Sequence, residues 1–149
     1  MTTPKVSFYP LGKGSSQDTL VFACRLVDKA VQLGHRVHLL ARDAAQLKLL
    51  DELLWQFQAE SFLPHQCLTG ESVEADIRVT LGVTDQLPGQ RDILINLRDS
   101  VWEQHRQFPD IREIVPADAE QRKLGRQRYR YYQEQGYELE TMKLGAQGS

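Results

Sequence analysis

Residues 5–41 run as strand, helix, strand, and this constrains the fold more than any other feature of the chain. Residues 5–11, KVSFYPL, alternate and carry Val6, Phe8 and Tyr9, with Pro10 near the end. A turn, GKGSSQD, leads into a helix over residues 18–33, with Ser15 as its cap and Asp18 as the acid three residues on. Leu20, Val21, Cys24, Val27 and Val31 form its apolar face, and Gly34 ends it. Residues 36–41, RVHLLA, read as a second strand. A βαβ unit of this length predicts a parallel pair with a right-handed crossover.

The alternation continues. Residues 43–57 read as a helix opened by Asp43 and Gln46, with Leu47, Leu50, Leu54 and Phe57 in one stripe. Residues 68–91 form a polar connection around a short strand at 77–81. Residues 92–97, DILINL, make a buried strand. Ser100 and Glu103 cap a short helix that Trp102 anchors, and residues 111–115, IREIV, form a further strand. Residues 137–144 are a last extended segment. The expected class is α/β, a three-layer α/β/α single domain with a mostly parallel sheet over residues 1–144. Residues 145–149 are expected to be a disordered tail.

Residues 118–135 form the helix with the most chemistry. Asp118 and Gln121 open it, and Gly136 stops it. Arg122, Lys123, Arg126, Arg128 and Arg130 stand in it without an intervening acid, interleaved with Tyr129, Tyr131 and Tyr132. At about 100° per residue, Arg122, Arg126, Tyr129 and Gln133 share one side. Leu124 and Tyr131 fall nearly opposite, with Tyr132 leaning toward them, and these are expected to face the core. Such a face suits an acidic partner, whether nucleic acid or an acidic peptide. The plain alternative is a solvated charged surface, and periodicity leaves both open.

Charge supports a localised anion site. Residues 1–121 hold 12 basic and 17 acidic side chains, whereas residues 122–149 hold 6 and 3. The whole chain carries −2, which argues against a general nucleic-acid coating.

Trp55 lies off the apolar stripe of its helix, with Lys48, Asp51 and Glu52. Phe62, Leu63 and Pro64 follow in the next loop. Large apolar groups at an exposed helix end suggest a docking patch. Local packing of loop on helix is the alternative, and it stays open here.

Several chemistries find no support. The turn at residues 12–16 lacks the G-x-x-x-x-G-K-S/T phosphate loop, so no nucleotide cofactor is expected. His65 and Cys67 are close, but no second ligand pair accompanies them, so no metal is expected. No nucleophile elbow or H-E-x-x-H is present, and no pair of acids is set up for acid–base work. A binding module is favoured over an enzyme. Two cysteines are too few for a disulfide scaffold. There is no leader and no run of about 20 apolar residues, so a cytoplasmic location without a membrane span is expected.

Five marks, in order, resemble the family of chi subunits of bacterial DNA polymerase III, the HolC family. They are Phe8-Tyr9 in the first strand, residues 50–55 (LDELLW) running into residues 60–65 (ESFLPH), RDILINLR at residues 91–98, IVP at residues 114–116, and the basic R-x-x-x-R-x-x-Y helix closing at Gly136. The resemblance covers about residues 5–140. It implies a non-catalytic accessory subunit of the clamp-loader assembly, joined to it through a small partner, psi. It further implies binding of the acidic C-terminal tail of single-stranded DNA-binding protein, which ends Asp-Asp-Asp-Ile-Pro-Phe in many bacteria. By resemblance, Arg122 and Arg126 pair with the tail's carboxylates, Tyr129 and Val115 flank a slot for its phenylalanine, and Lys123 and Arg130 steer. Trp55, Phe62, Leu63 and Pro64 correspond to the psi surface, for which a repair helicase is a competing partner. The alternative function is direct binding of single-stranded nucleic acid by the basic helix and its tyrosines. The family often has lysine at the position of Arg122, and its turn after the first strand is more polar than GKGSS.

Overall fold

The computed structural model describes residues 3–57, 64–70, 73, 76–89 and 91–142. Seven strands form one sheet: β1 (Lys5–Pro10), β2 (Val37–Leu40), β3 (His65–Cys67), β4 (Val79–Gly82), β5 (Ile93–Asn96), β6 (Asp110–Val115) and β7 (Glu138–Thr141). Their order is β3-β4-β2-β5-β6-β1-β7, and every pairing is parallel. The helices are α1 (Ser16–Gln32), α2 (Ala44–Phe57) and α3 (Ala119–Glu134), with a 3₁₀ turn at Glu103–Gln107. The expected α/β class is what forms.

The period of two along each strand divides the interior into two layers. Tyr9, Val37, Leu39, Ile93, Ile95 and Ile114 point to the face covered by α1 and α2. Val6, Phe8, Leu40, Leu94, Ile111 and Val115 point to the other face, where Trp102, Phe108 and Tyr132 pack. Each large apolar side chain removed from water contributes about 1.5–3 kcal/mol.

The first βαβ unit does not make a neighbouring pair. β1 pairs with β6 and β7, and β2 with β4 and β5, so β5 and β6 lie between them. The inserted strands bring Ile93, Leu94, Ile95, Ile111 and Ile114, all buried, to the middle of the sheet. Parallel strands buried on both faces need such near-continuous apolar runs.

Local signals at the helix starts act as read. Ser15 and Asp18 form a full capping box on α1, with Ser15 N–H donating to Asp18 Oδ2 at 2.8 Å. The amides of Gln46 and Gln121 donate to Asp43 and Asp118, each at 2.8 Å. Gln46 returns its side chain to the Arg42 amide, and Gln121 reaches Asp99 instead. Gly136 (φ 78°) closes α3 in the left-handed region. The cap expected from Ser100 is not made. Trp102 takes the cap position of the 3₁₀ turn, and the Ser100 carbonyl accepts from Asn96.

Most element ends fall within two residues of expectation, and the larger differences lie among the strands. The strand expected at 77–81 runs from Val79 to Gly82. β3, only three residues long, has no counterpart among the expected strands. The last segment is a strand over Glu138–Thr141, while residues 143–149, including the expected tail, lie outside the described residues.

Candidate functional site

How α3 sits on β6 decides which of its side chains meet solvent. The helix crosses the sheet at Gly125. A Cβ there would fall 2.8 Å from Val115 Cγ1, so only glycine allows this approach. One turn on, Arg128 and then Tyr132 point inward. They meet Glu113, which lies on the same face of β6 as Ile111 and Val115. Arg128 Nε donates to Glu113 Oε1 at 2.8 Å, and Tyr132 Oη donates to Glu113 Oε2 at 2.6 Å. Asn96 Nδ2 adds bonds at 3.2 and 3.0 Å, and Arg128 Nη1 donates to the Asp99 carbonyl. Burial raises the Glu113 carboxyl above its ordinary value, while Arg128 and the bonds from Asn96 and Tyr132 pull it down. Burial and the Glu113 charge raise the Tyr132 phenol.

This corrects the expected inward face. Gly125, Arg128 and Tyr132 form the buried seam, whereas Leu124 and Tyr131 are half-buried at its flank. The helix is turned by roughly 80° from the reading at about 100° per residue. The cause is Glu113. A buried carboxylate needs a cation and hydrogen-bond donors, and Arg128 is the residue in reach. Sequence reasoning had placed Arg128 in the basic run. The available signal was a glutamate between Ile111 and Val115 on the inward side of a strand.

The outward side keeps its cations. Arg122, Lys123, Arg126 and Arg130 are exposed and have no ion-pair partner among the described residues. Arg122 Nη2 donates to the Gly12 carbonyl at 3.4 Å, which ties the turn after β1 to the start of this face. Tyr129 borders the face. It is half-buried, with its ring 5.2 Å from Phe8. Val115 is 6% exposed and lies under Gly125, so it lines the floor of this region more than its opening. Guanidinium forks on an open surface match carboxylates in geometry and charge.

The second region lies at the end of α2, on the opposite side of the sheet. Trp55 is 59% exposed. Its ring stands edge-on to His65 at 4.8 Å between centroids. His65 Nε2 lies 3.0 Å from Asp51 Oδ1. Pro64 is half-buried beside it, and Phe62 and Leu63 lie outside the described residues. His65 and Cys67 point to the same Asp51 carboxylate, and no cluster of three metal-binding side chains occurs among the described residues.

An open crevice of about 260 Å³ lies at the C-terminal ends of β1, β2 and β6, where parallel sheets often bind ligands. The starts of all three helices line it, but Ser15, Asp43 and Asp118 already cap them. Among the described residues no helix is long and apolar enough to cross a membrane.

Comparison with known proteins gives the family. The family model described as DNA polymerase III chi subunit, HolC, matches residues 3–140. The DNA polymerase III subunit chi of Pseudomonas aeruginosa is 37% identical over 141 residues, covering 94% of this chain and 96% of that one. The Escherichia coli subunit is 32% identical over 140 residues, covering 91% and 95%. The Haemophilus influenzae subunit is 30% identical over 139 residues, covering 93% and 96%. Among solved structures, T4 UvsW superposes with a TM-score of 0.61 at 10% identity over 94% of this chain and 42% of that one, a likeness of fold alone. The chain therefore belongs to the DNA polymerase III chi subunit family, HolC, the accessory subunits of bacterial DNA replication.

Proposed function

We propose that this protein is a non-catalytic adaptor with two protein-binding surfaces. One would join it to the polymerase III assembly through psi, and the other would hold the acidic C-terminal tail of single-stranded DNA-binding protein. The observation that carries this reading is the pair of chemically distinct surfaces on opposite faces of one rigid sheet. The α3 surface carries four exposed cations without acidic partners among the described residues, and the α2 end carries an exposed tryptophan. Arg122 and Arg126 would pair with the tail's acidic side chains and terminal carboxylate. Tyr129 and the floor at Val115 would receive its last aromatic ring, and Lys123 and Arg130 would steer it electrostatically. Trp55, Phe62, Leu63 and Pro64 would form the psi surface, and a repair helicase using the same patch would compete with psi.

Direct binding of single-stranded nucleic acid is less well supported. A stacking platform needs free aromatic faces. Tyr132 is buried, and Tyr131 and Tyr129 pack against neighbouring rings.

The test is calorimetric titration with a peptide ending Asp-Asp-Asp-Ile-Pro-Phe at low and moderate salt. Salt-sensitive binding that is lost on amidating the peptide's C-terminus is expected. Absence of binding at low salt would overturn the tail assignment.

A further inference from the structure

An exposed tryptophan is an efficient anchor only if it is already in its bound pose. Ordering a rotamer-rich side chain on association lowers affinity, so interfaces gain when the free protein has done that ordering beforehand. Trp55 is 59% exposed, yet one side of its indole rests on another ring. The His65 ring lies against it at 4.8 Å with an interplanar angle of 63°. The His65 side chain is itself 1% exposed, so it acts as a wedge beneath the indole and presents little surface of its own.

What holds the wedge is Asp51. It stands one turn before Trp55 on α2, the spacing that puts both on one side of the helix. Its Oδ1 lies 3.0 Å from His65 Nε2. Burial first, and then the charge and hydrogen bonding of the same Asp51 carboxylate, raise the nearby Cys67 thiol above its ordinary range. His65 and Cys67 are two residues apart on β3 and so share a face. Among the described residues β3 is the outermost strand and pairs with β4 alone. One carboxylate thus ties the second half of α2 to the sheet edge and sets the ring on which Trp55 rests.

We propose that Asp51 and His65 are positioning residues for the partner surface, holding the Trp55 indole in its docking pose through an Asp51–His65–Trp55 stack. The proposal rests on the reading of Trp55 as part of the psi surface.

The experiment combines psi binding with the fluorescence of Trp55 in the full chain. Trp102 is 1% exposed, so iodide quenching in the free protein reports Trp55. Asp51→Ala and His65→Ala are expected to increase iodide quenching and the amplitude of fast anisotropy decay. They are expected to weaken psi binding about three- to tenfold, the cost of ordering one side chain, and to leave tail-peptide affinity unchanged. Asp51→Asn keeps an oxygen that accepts from His65, and is expected to restore both fluorescence and psi affinity. Wild-type fluorescence and psi affinity in Asp51→Ala would overturn the proposal, and so would an equal loss of psi and tail binding. If Trp55→Ala also leaves psi affinity unchanged, the psi reading of the patch fails. The fluorescence arm would still decide whether Asp51 holds the indole.

Discussion

Arg128 Nε lies 2.8 Å from Glu113 Oε1, and the two side chains are 2% and 0% exposed. A basic helix is therefore bolted to its sheet by one of its own cations. Removing one partner of such a pair strands a buried charge, at a cost of about 3–5 kcal/mol. Arg128→Ala is expected to lower stability by that amount in chemical denaturation. Replacing both members with apolar residues, Arg128→Met with Glu113→Leu, is expected to recover only part of the loss, because the buried Tyr132 hydroxyl and Asn96 amide then lose the Glu113 acceptor.

Arg126 is the exposed counterpart of the buried Arg128. It is exposed, two residues away in sequence, and makes no ion pair among the described residues. Arg126→Ala is expected to reduce tail-peptide affinity about tenfold or more, the worth of one charged hydrogen bond. Its denaturation midpoint should match the wild type. Unchanged calorimetric affinity would remove Arg126 from the site.

Gly125 is expected to resist even alanine. The added Cβ would lie 2.8 and 3.0 Å from the two Val115 methyl carbons. Overpacking of this kind costs about 1–3 kcal/mol. That outweighs the roughly 1 kcal/mol that alanine adds to an exposed helix interior. Gly125→Ala should be less stable in urea, and Gly125→Ala with Val115→Ala should regain part of the loss.

Stability should fall with acid because of His38. Burial first, and then the Arg91 charge, depress its imidazole to about 3, against a pull the other way from Thr80. The ring stacks on Trp102 and Phe108, and its Nδ1 shares a 2.8 Å hydrogen bond with Thr80 Oγ1. The unfolded chain takes up this proton near the ordinary value of about 6.5, and the folded chain does not. The His38 contribution is complete above that value and is lost as pH falls toward 3, with a slope of at most about 1.4 kcal/mol per pH unit. His105 is shifted in the same direction, and the raised Glu113 carboxyl opposes both. Comparison with His38→Phe between pH 7 and 5 isolates the term, and the variant is expected to show a flatter dependence.

Much of the fold was legible because its signals are local. Ser15 and Asp18 close a capping box within one turn of chain, and Gly136 takes its left-handed φ from its own lack of a side chain. The strand at residues 93–96 follows from an apolar run, and that at residues 110–115 from β-branched residues at Ile111, Ile114 and Val115 before Pro116. β3 escaped notice because three residues, HQC, carry too little alternation to show a period. The exposed basic face and the exposed Trp55 were legible as surface chemistry. The Asp51–His65 support beneath Trp55 was not, because its two halves lie on different elements.

By itself the sequence determined the class of fold, most of the element types, the caps of the three long helices and the charge of α3. These depend on periodicity and on contacts within a few residues. Only the tertiary structure decided that β5 and β6 separate β1 from β2, and that α3 rolls until Arg128, and not Leu124, faces the core. Both are choices among distant partners. The interior strands must be those apolar on both faces, and the buried Glu113 must find a cation across the helix–sheet interface, whatever the helix's own apolar pattern prefers.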